Sequence, residues 1–520
     1  MPNNVTQPAT AYDEVPYASF PFAQSHPNRL ATVATLFGMQ PPAVESCRVL
    51  ELGCASGGNL IPMAEQVPGA QFYGCDLSTR QIAAGQQMIA ETGLTNVRVE
   101  ARSILDITPE LGTFDYIACH GVWSWVPAEV RQKILEICRD QLSPQGVAFI
   151  SYNTLPGWHF RGTVRDMMFY HSRKFGTPAE RVGHARALLD FLVRSVQGDK
   201  SAYAVLLKSE MELLRTKSDS YLLHEHLEAV NEPMYFYQFE EQLGAAQLQF
   251  LGEADISSML AQSFSSEVDQ IIRRLSANIV EMEQYLDFLK NRTFRQTLIC
   301  HRGVRIERKP DERGLAQLRI AGLTEPSEQP ANLSPGHEVK FTGAHGRINT
   351  SDPGAKALLV VLREAWPRSV PFGELVKQVR KTVADAGLAD AVDTVNETSV
   401  GSNVIHCHLR GFVRILAAEL PCAAVAGTHP RGTAVARWYA MKGPNVTNLA
   451  HEVVQLNDLG RQVLLLADGT RDRSALADEV SKLATKNAII LTSDAERLMP
   501  AEMLVAQTLT KLAMHSLLLA

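Results

Sequence analysis

The sequence predicts an α/β protein: an open, doubly wound, mostly parallel sheet with helices on both faces, followed by a mainly helical C-terminal region. Three observations predict it. Between residues 46 and 153, short runs rich in Val, Ile, Phe and Tyr alternate with stretches of helical period. The first such run, VLEL, opens into small residues, GCASGG. The second, AQFYGCDL, closes on an acid, Asp76. Strand–helix alternation with a glycine turn after the first strand implies parallel strands joined by crossover helices.

The elements follow in order. Residues 1–45 are rich in Pro and aromatics and end in a short helical stretch near RLATVATLFGM, closed by Pro41 and Pro42. CRVLEL is strand one, GNLIPMAEQV a helix, and AQFYGCDL strand two. TRQIAAGQQMIAETG is a helix that Gly93 stops. VRVEARS and FDYIACHG are strands three and four. PAEVRQKILEICRDQL is a helix with Pro127 at its first turn, and GVAFISYN is strand five. From 162 to 235 the period is helical, which reads as an insertion. The sheet resumes with a helix and two further strands, near 247–253 and 294–301, within 236–305. A linker with some local strand is expected over 306–345, rich in Pro, Gly and charge. A helical, winged-helix-like domain is expected over 346–520, with VARWYAM as a strand and NVIHCHLRGFVRILAAEL as an amphipathic helix.

Bulk properties narrow the function classes. The chain has 520 residues, 45% hydrophobic and 20% charged, with a formal charge of −6. Such a chain builds a sizeable core and suggests about three domains. No global basic field exists to hold phosphates, so a nucleic-acid partner is not indicated. The eight cysteines are scattered without a CxxC pair, which fits a reduced compartment. The start, MPNNVTQPATAYDEVP, lacks the basic and apolar regions of a secretory signal, and no apolar run approaches membrane-spanning length. A cytoplasmic location without a membrane span is expected.

A strand, a tight turn and a helix place backbone N–H groups toward a ligand. Against the dinucleotide fingerprint G-x-G-x-x-G, this turn reads Gly53, Ala55, Gly58. The second glycine exists for close approach of a pyrophosphate. Alanine there argues for a ligand without one. Asp76, at the end of strand two, stands where an acid accepts hydrogen bonds from vicinal ribose hydroxyls. The two features together point to a nucleoside cofactor.

VLELGCASGGN followed by FYGCDLS resembles motifs one and two of the class I S-adenosylmethionine-dependent methyltransferases, with Rossmann-like seven-stranded sheets. The family pattern E/D-x-G-x-G-x-G falls on Glu51, Gly53, Ala55 and Gly57. The resemblance implies S-adenosylmethionine as cofactor, S-adenosylhomocysteine as product, and no metal. It implies that Asp76 holds the ribose, that Leu77 packs on the adenine, and that Ser103 and Ile104 meet the adenine edge. Glu51 either anchors the cofactor amino group or caps the loop itself. His120 and Gly121 complete the expected cofactor set. Further segments, HPNRLATVATLFGMQPP, CHGVWSWVP, SYNTLPGWH, YLLHEHLEAVNEP and RTFRQTLIC, resemble bacterial methyltransferases that carry a methyltransferase regulatory domain. The rickettsial protein-lysine methyltransferases are similar to this group. The resemblance spans roughly residues 10–305.

Ligands of such sheets bind beyond the carboxyl ends of the strands. The ends of strands four and five carry Trp123, Trp125, Tyr152, Asn153 and Trp158. Methyl transfer needs aligned nucleophile, carbon and sulfur, and exclusion of water. An aromatic pocket desolvates a lysine amine and lowers its pKa. Tyr12, Tyr17, Tyr152 and Trp158 are the candidate pocket, with Asn153 offering its oxygen to the incoming N–H and His224 as a titratable candidate. His224 and His226 are two apart, and HCH at 406–408 is no better spaced, so a zinc site is not indicated. Residues 1–45 and the insertion 162–235 are expected to cover the mouth as lid or substrate selector. Three functions fit: a protein N-methyltransferase acting on lysine, a small-molecule or natural-product N- or O-methyltransferase, and a non-catalytic cofactor-binding regulator. Acceptor and oligomeric state are open.

Overall fold

The computed structural model describes residues 15, 19–260, 265–308, 310, 312–486, 488–491, 496 and 498–520. Seven strands form its main sheet: β1 (Arg48–Leu52), β2 (Gln71–Asp76), β3 (Val97–Ala101), β4 (Phe114–Cys119), β5 (Leu142–Asn153), β6 (Leu248–Glu253) and β7 (Phe294–His301). Their order is β3-β2-β1-β4-β5-β7-β6. The first five pair in parallel, and β7 runs antiparallel to both β5 and β6. The order reverses between β1 and β4, so a crevice opens beyond their carboxyl ends.

β1 is buried on both faces after Arg48. Its residues alternate between two cores, as a period of two requires. Val49 joins Val147, Phe149 and Leu298 on one side, while Leu50 and Leu52 join Ile117, Trp123 and Phe239 on the other. Glu51 therefore lies on the Val49 face. The helix Pro27–Leu36 packs on β5, and Leu60–Gln66 and Thr79–Thr92 follow β1 and β2. Thr79–Thr92 starts at Ser78, whose side chain accepts from Gln81 N–H, and stops at Gly93 in left-handed geometry.

The helices Gly157–Ser172, Pro178–Ser195, Ala202–Arg215 and Asp219–His226 stand between β5 and β6 and hold a small apolar core of their own. Behind β5 and β7 sits a buried ion cluster. Arg295 on β7 donates to Glu253 on β6 (2.6 Å) and to Asp287 (2.8 and 2.9 Å) and Glu283 (3.0 Å), tying β6 and β7 to the helix Ile279–Lys290.

The stretch expected as a linker with some local strand is more structured than that. It carries β8 (Arg319–Gly322), β9 (Glu325–Pro326) and β10 (Val339–Gly343), which pairs with β11 (Gly346–Thr350). Leu315, Leu318 and Ile320 enter the same core as Val49 and Phe250. β8 also pairs with β12 (Val370–Pro371) and β13 (Val413–Leu416). The expected helix over NVIHCHLRGFVRILAAEL ends at Leu409. Gly411 turns the chain at φ +77°, and VRIL continues as β13. VARWYAM, expected as a strand, lies in the helix Ala434–Lys442. Thr433 caps it, and Val435, Ala436, Trp438 and Ala440 form its buried face. A hairpin of β14 (Asn445–Thr447) and β15 (Val453–Gln455) follows, then three longer helices, Asp458–Leu466, Arg473–Thr485 and Ala501–Met514, around a separate core. Among the described residues no helix is long and apolar enough to cross a membrane.

Candidate active site

β1 leaves the sheet through a turn that stays tied to β2. Gly53 and Cys54 both donate to the Cys75 carbonyl, at 2.8 and 3.0 Å. Gly53 has φ +76°, and a Cβ there would stand 2.4 Å from Val122 Cγ2. Glycine is required on both counts. Ala55 adopts φ +49°, the left-handed region in which an L side chain is strained. Its N–H donates to Asp76 Oδ2 (2.9 Å), and Ser78 N–H donates to Oδ1 (2.9 Å). The Asp76 carboxylate is thus fixed at the tip of β2, facing the turn. Gly58 N–H donates to Ser19 Oγ (2.8 Å), and a Cβ at Gly58 would meet the Ser19 carbonyl at 2.5 Å. The segment entering the first helix therefore lies across the glycine turn.

Glu51 is buried beneath this turn. Asn59 Nδ2 donates to its Oε1 at 2.6 Å, while Oε2 is buried without a hydrogen-bond partner among the described residues. Burial pushes the carboxyl up to about 7; the Asn59 bond opposes the shift and the nearby Asp76 charge adds to it. An orphaned acceptor of this kind is costly unless a ligand donor meets it. An amino acid ammonium at the turn is such a donor, so the residues present fit an adenosylated amino acid cofactor.

Beyond β2, Leu77 is 47% exposed although large and apolar, which suits a flat base laid against it. Ser103 turns the chain after β3 by accepting from Leu105 N–H (3.2 Å), and Ile104 packs beside it. At the end of β4, Ser151 Oγ accepts from Gly121 N–H (2.9 Å) and contacts His120 Nδ1 (3.0 Å). The His120 ring lies 3.8 Å from that of Phe22, and burial lowers its pKa to about 4, so it is neutral at physiological pH.

The residues expected around the acceptor are divided by the structure. Tyr152 is not at the mouth: it is 1% exposed, stacks on Phe239 at 4.4 Å and belongs to the core under the sheet. Asn153 faces the other way. Its N–H donates to Ser124 Oγ (2.9 Å) and its Nδ2 to Asn231 Oδ1 (3.1 Å). Trp158 meets Trp125 edge-on at 6.3 Å, and its Nε1 is buried without a hydrogen-bond partner among the described residues. His224 Nε2 contacts the Val15 carbonyl (2.7 Å) and Nδ1 contacts Glu228 (3.2 Å), so it ties the insertion to the N-terminal segment. His26 caps the first helix by accepting from Asn28 N–H. Tyr12 and Tyr17 lie outside the described residues. Sequence reasoning missed Asn59, Ser151, Phe22 and His451. Only Asn59 had a local signal, as the residue that ends the GGN run.

This topology and turn define a class I methyltransferase. Residues 50–148 match the methyltransferase domain family, 218–301 the predicted methyltransferase regulatory domain, and 429–518 the PKMT, C-terminal winged helix domain. An uncharacterized protein of Rickettsia prowazekii (strain Madrid E) is 35% identical over 496 residues, 94% of this chain and 88% of that protein. A second from the same organism is 46% identical over 231 residues, 44% of this chain and 92% of that protein. The solved structure of PKMT2 from Rickettsia typhi in complex with AdoHcy superposes with a TM-score of 0.85 at 31% identity, covering 97% of this chain and 100% of that one. The chain belongs to the S-adenosylmethionine-dependent methyltransferases, in the PKMT family that joins a regulatory domain and a C-terminal winged helix to the catalytic sheet.

Proposed function

We propose that this enzyme is a cytoplasmic protein methyltransferase that moves the methyl group of S-adenosylmethionine to the side-chain nitrogen of lysine. The observation that carries the reading is the whole-length likeness to PKMT2, insertion and C-terminal domain included. When bound, the cofactor supplies an electrophilic methyl on a sulfonium. The chain's own residues do the rest. Gly53, Ala55 and Gly57 form the turn that receives the amino acid end, and Glu51 takes the ammonium. Asp76 accepts from the ribose hydroxyls, since each carboxylate oxygen can accept more than once. Leu77, Ser103 and Ile104 border the adenine, and His120 and Gly121 border the methyl-bearing end.

On the acceptor side, Asn231 takes the Asn153 Nδ2–H, so Asn153 Oδ1 is the group that remains for an incoming N–H. Trp125 and Trp158 form an aromatic wall that desolvates the amine and favours its neutral, nucleophilic form. Tyr152 supports this wall from the core and does not touch the acceptor. Tyr12 and Tyr17 belong to the segment expected to close over it.

Transfer of labelled methyl from S-adenosylmethionine to a cell lysate tests the reading. Label is expected in protein, with methyllysine after acid hydrolysis. Label confined to the small-molecule fraction would overturn it.

A further inference from the structure

The winged helix reaches the cofactor turn. Its β14–β15 hairpin tip is locked by Asn448, whose Oδ1 accepts from Ala450 N–H (3.0 Å) and Glu452 N–H (2.9 Å). This lock holds His451 at φ +61° and drives its ring into the methyltransferase core, where it is 2% exposed. His451 Nε2 stands 2.9 Å from Asn59 Oδ1, and Nδ1 stands 3.1 Å from Gln66 Oε1, so each ring nitrogen faces an amide oxygen. Gln66 Nε2 in turn donates to the Asn448 carbonyl (2.9 Å).

The orientation of Asn59 is set by its neighbours. Oδ1 accepts from Phe22 N–H (2.8 Å), and Nδ2 donates to Ser25 Oγ (3.0 Å) and to Glu51 (2.6 Å). His451 Nε2 therefore meets an oxygen, as Nδ1 does at Gln66, and the ring holds the Asn59 amide when its hydrogen is on Nε2. Burial keeps the ring far below its ordinary pKa, so it is neutral. A chain of hydrogen bonds runs from the hairpin through Asn59 to the carboxylate under the glycine turn.

We propose that His451 is a positioning residue for the cofactor: the C-terminal winged helix completes the methyltransferase site by holding the Asn59 amide that orients Glu51. The proposal rests on the reading of Glu51 as the ammonium partner. Docking elsewhere is independent of this chain. Glu65 accepts from Val435 N–H (3.0 Å) at the start of the helix Ala434–Lys442, and Trp438 Nε1 donates to Glu91 (2.6 Å).

Calorimetric titration of the full chain with S-adenosylhomocysteine is the test. His451→Ala is expected to raise Kd about tenfold, the loss of a hydrogen bond that steers a charged group. His451→Gln, which keeps a side-chain N–H, is expected to recover Kd to within about threefold of wild type. Trp438→Phe breaks a docking bond outside the chain and is expected to leave Kd within about twofold. In steady-state assays the His451→Ala loss should appear in KM for S-adenosylmethionine, with kcat preserved. Should His451→Ala not fold, His451→Phe fills the space without an N–H and takes its place. Wild-type Kd in the His451 variant, no recovery by glutamine, or an equal loss in Trp438→Phe would overturn the proposal. Glu51→Gln separates the two readings: wild-type affinity there would remove the role of Glu51 itself.

Discussion

The two walls of the crevice are built differently. On the β1–β2 wall, backbone and side chains are locked by short bonds: Ala55 and Ser78 to Asp76, Asn59 to Glu51, Ser19 to Gly58. Among the described residues, Glu51 Oε2 has no hydrogen-bond partner there. The β5 wall has a different economy. It stands on a buried ion cluster, and its mouth is capped by helices with their own small core. Among the described residues, Trp158 Nε1 and His226 Nδ1 are buried there without hydrogen-bond partners. A fixed wall suits one small ligand of constant shape, exchanged at every turnover. A wall with unmet donors and a separate helical cap suits an acceptor that arrives and leaves.

The largest expected effect lies under the β5 wall. Arg295→Met leaves Glu253 without its guanidinium and Asp287 and Glu283 with Arg292 alone, and is expected to cost about 3–5 kcal/mol, read by urea denaturation. A cost under about 1 kcal/mol would mean that the cluster does not hold this wall. Trp158→Phe keeps the ring bulk and removes the indole N–H. It is expected to lower kcat/KM for the acceptor about tenfold while cofactor Kd stays within twofold. Equal losses for both ligands would erase the distinction between the walls.

The pH dependence sharpens the cofactor wall. Glu51 sits near 7 in the folded protein against an ordinary 4.5. Between those values the folded state holds a proton that the unfolded chain has released, so this group lowers stability as pH rises through that window. Under the proposed role of Glu51, binding runs the other way, because the ionised form would attract the ammonium. S-adenosylhomocysteine affinity is expected to rise about fivefold from pH 6 to 8, and Glu51→Gln to flatten that rise. His120 and His26, each lowered to about 4, do not titrate in that range. The smallest effect is at the turn itself. Ala55→Gly relieves the left-handed alanine and is expected to add about 1 kcal/mol of stability with cofactor affinity kept.

The sheet and its glycine turn were legible because their signals are local. Glu51, Gly53 and Asp76 lie at fixed offsets on one βαβ unit, and the late return of β6 and β7 showed in the change of period. Tyr152 was misplaced because the alternation along β5 does not say which face its neighbours cover; Ser151 and Asn153 point to the crevice while Tyr152 meets Phe239. VARWYAM was misread because a short apolar run suits a strand or a buried helix equally. His451 was beyond reach: its partner Asn59 is 392 positions away, and only tertiary docking joins them.

The most direct measurement is calorimetric titration of wild type and Asp76→Asn with S-adenosylhomocysteine. The carboxamide keeps the shape of the group and surrenders its charge and half its acceptors. The account expects affinity to fall by roughly ten- to a hundredfold, the worth of charge-assisted bonds to two ribose hydroxyls. Undiminished affinity would contradict it.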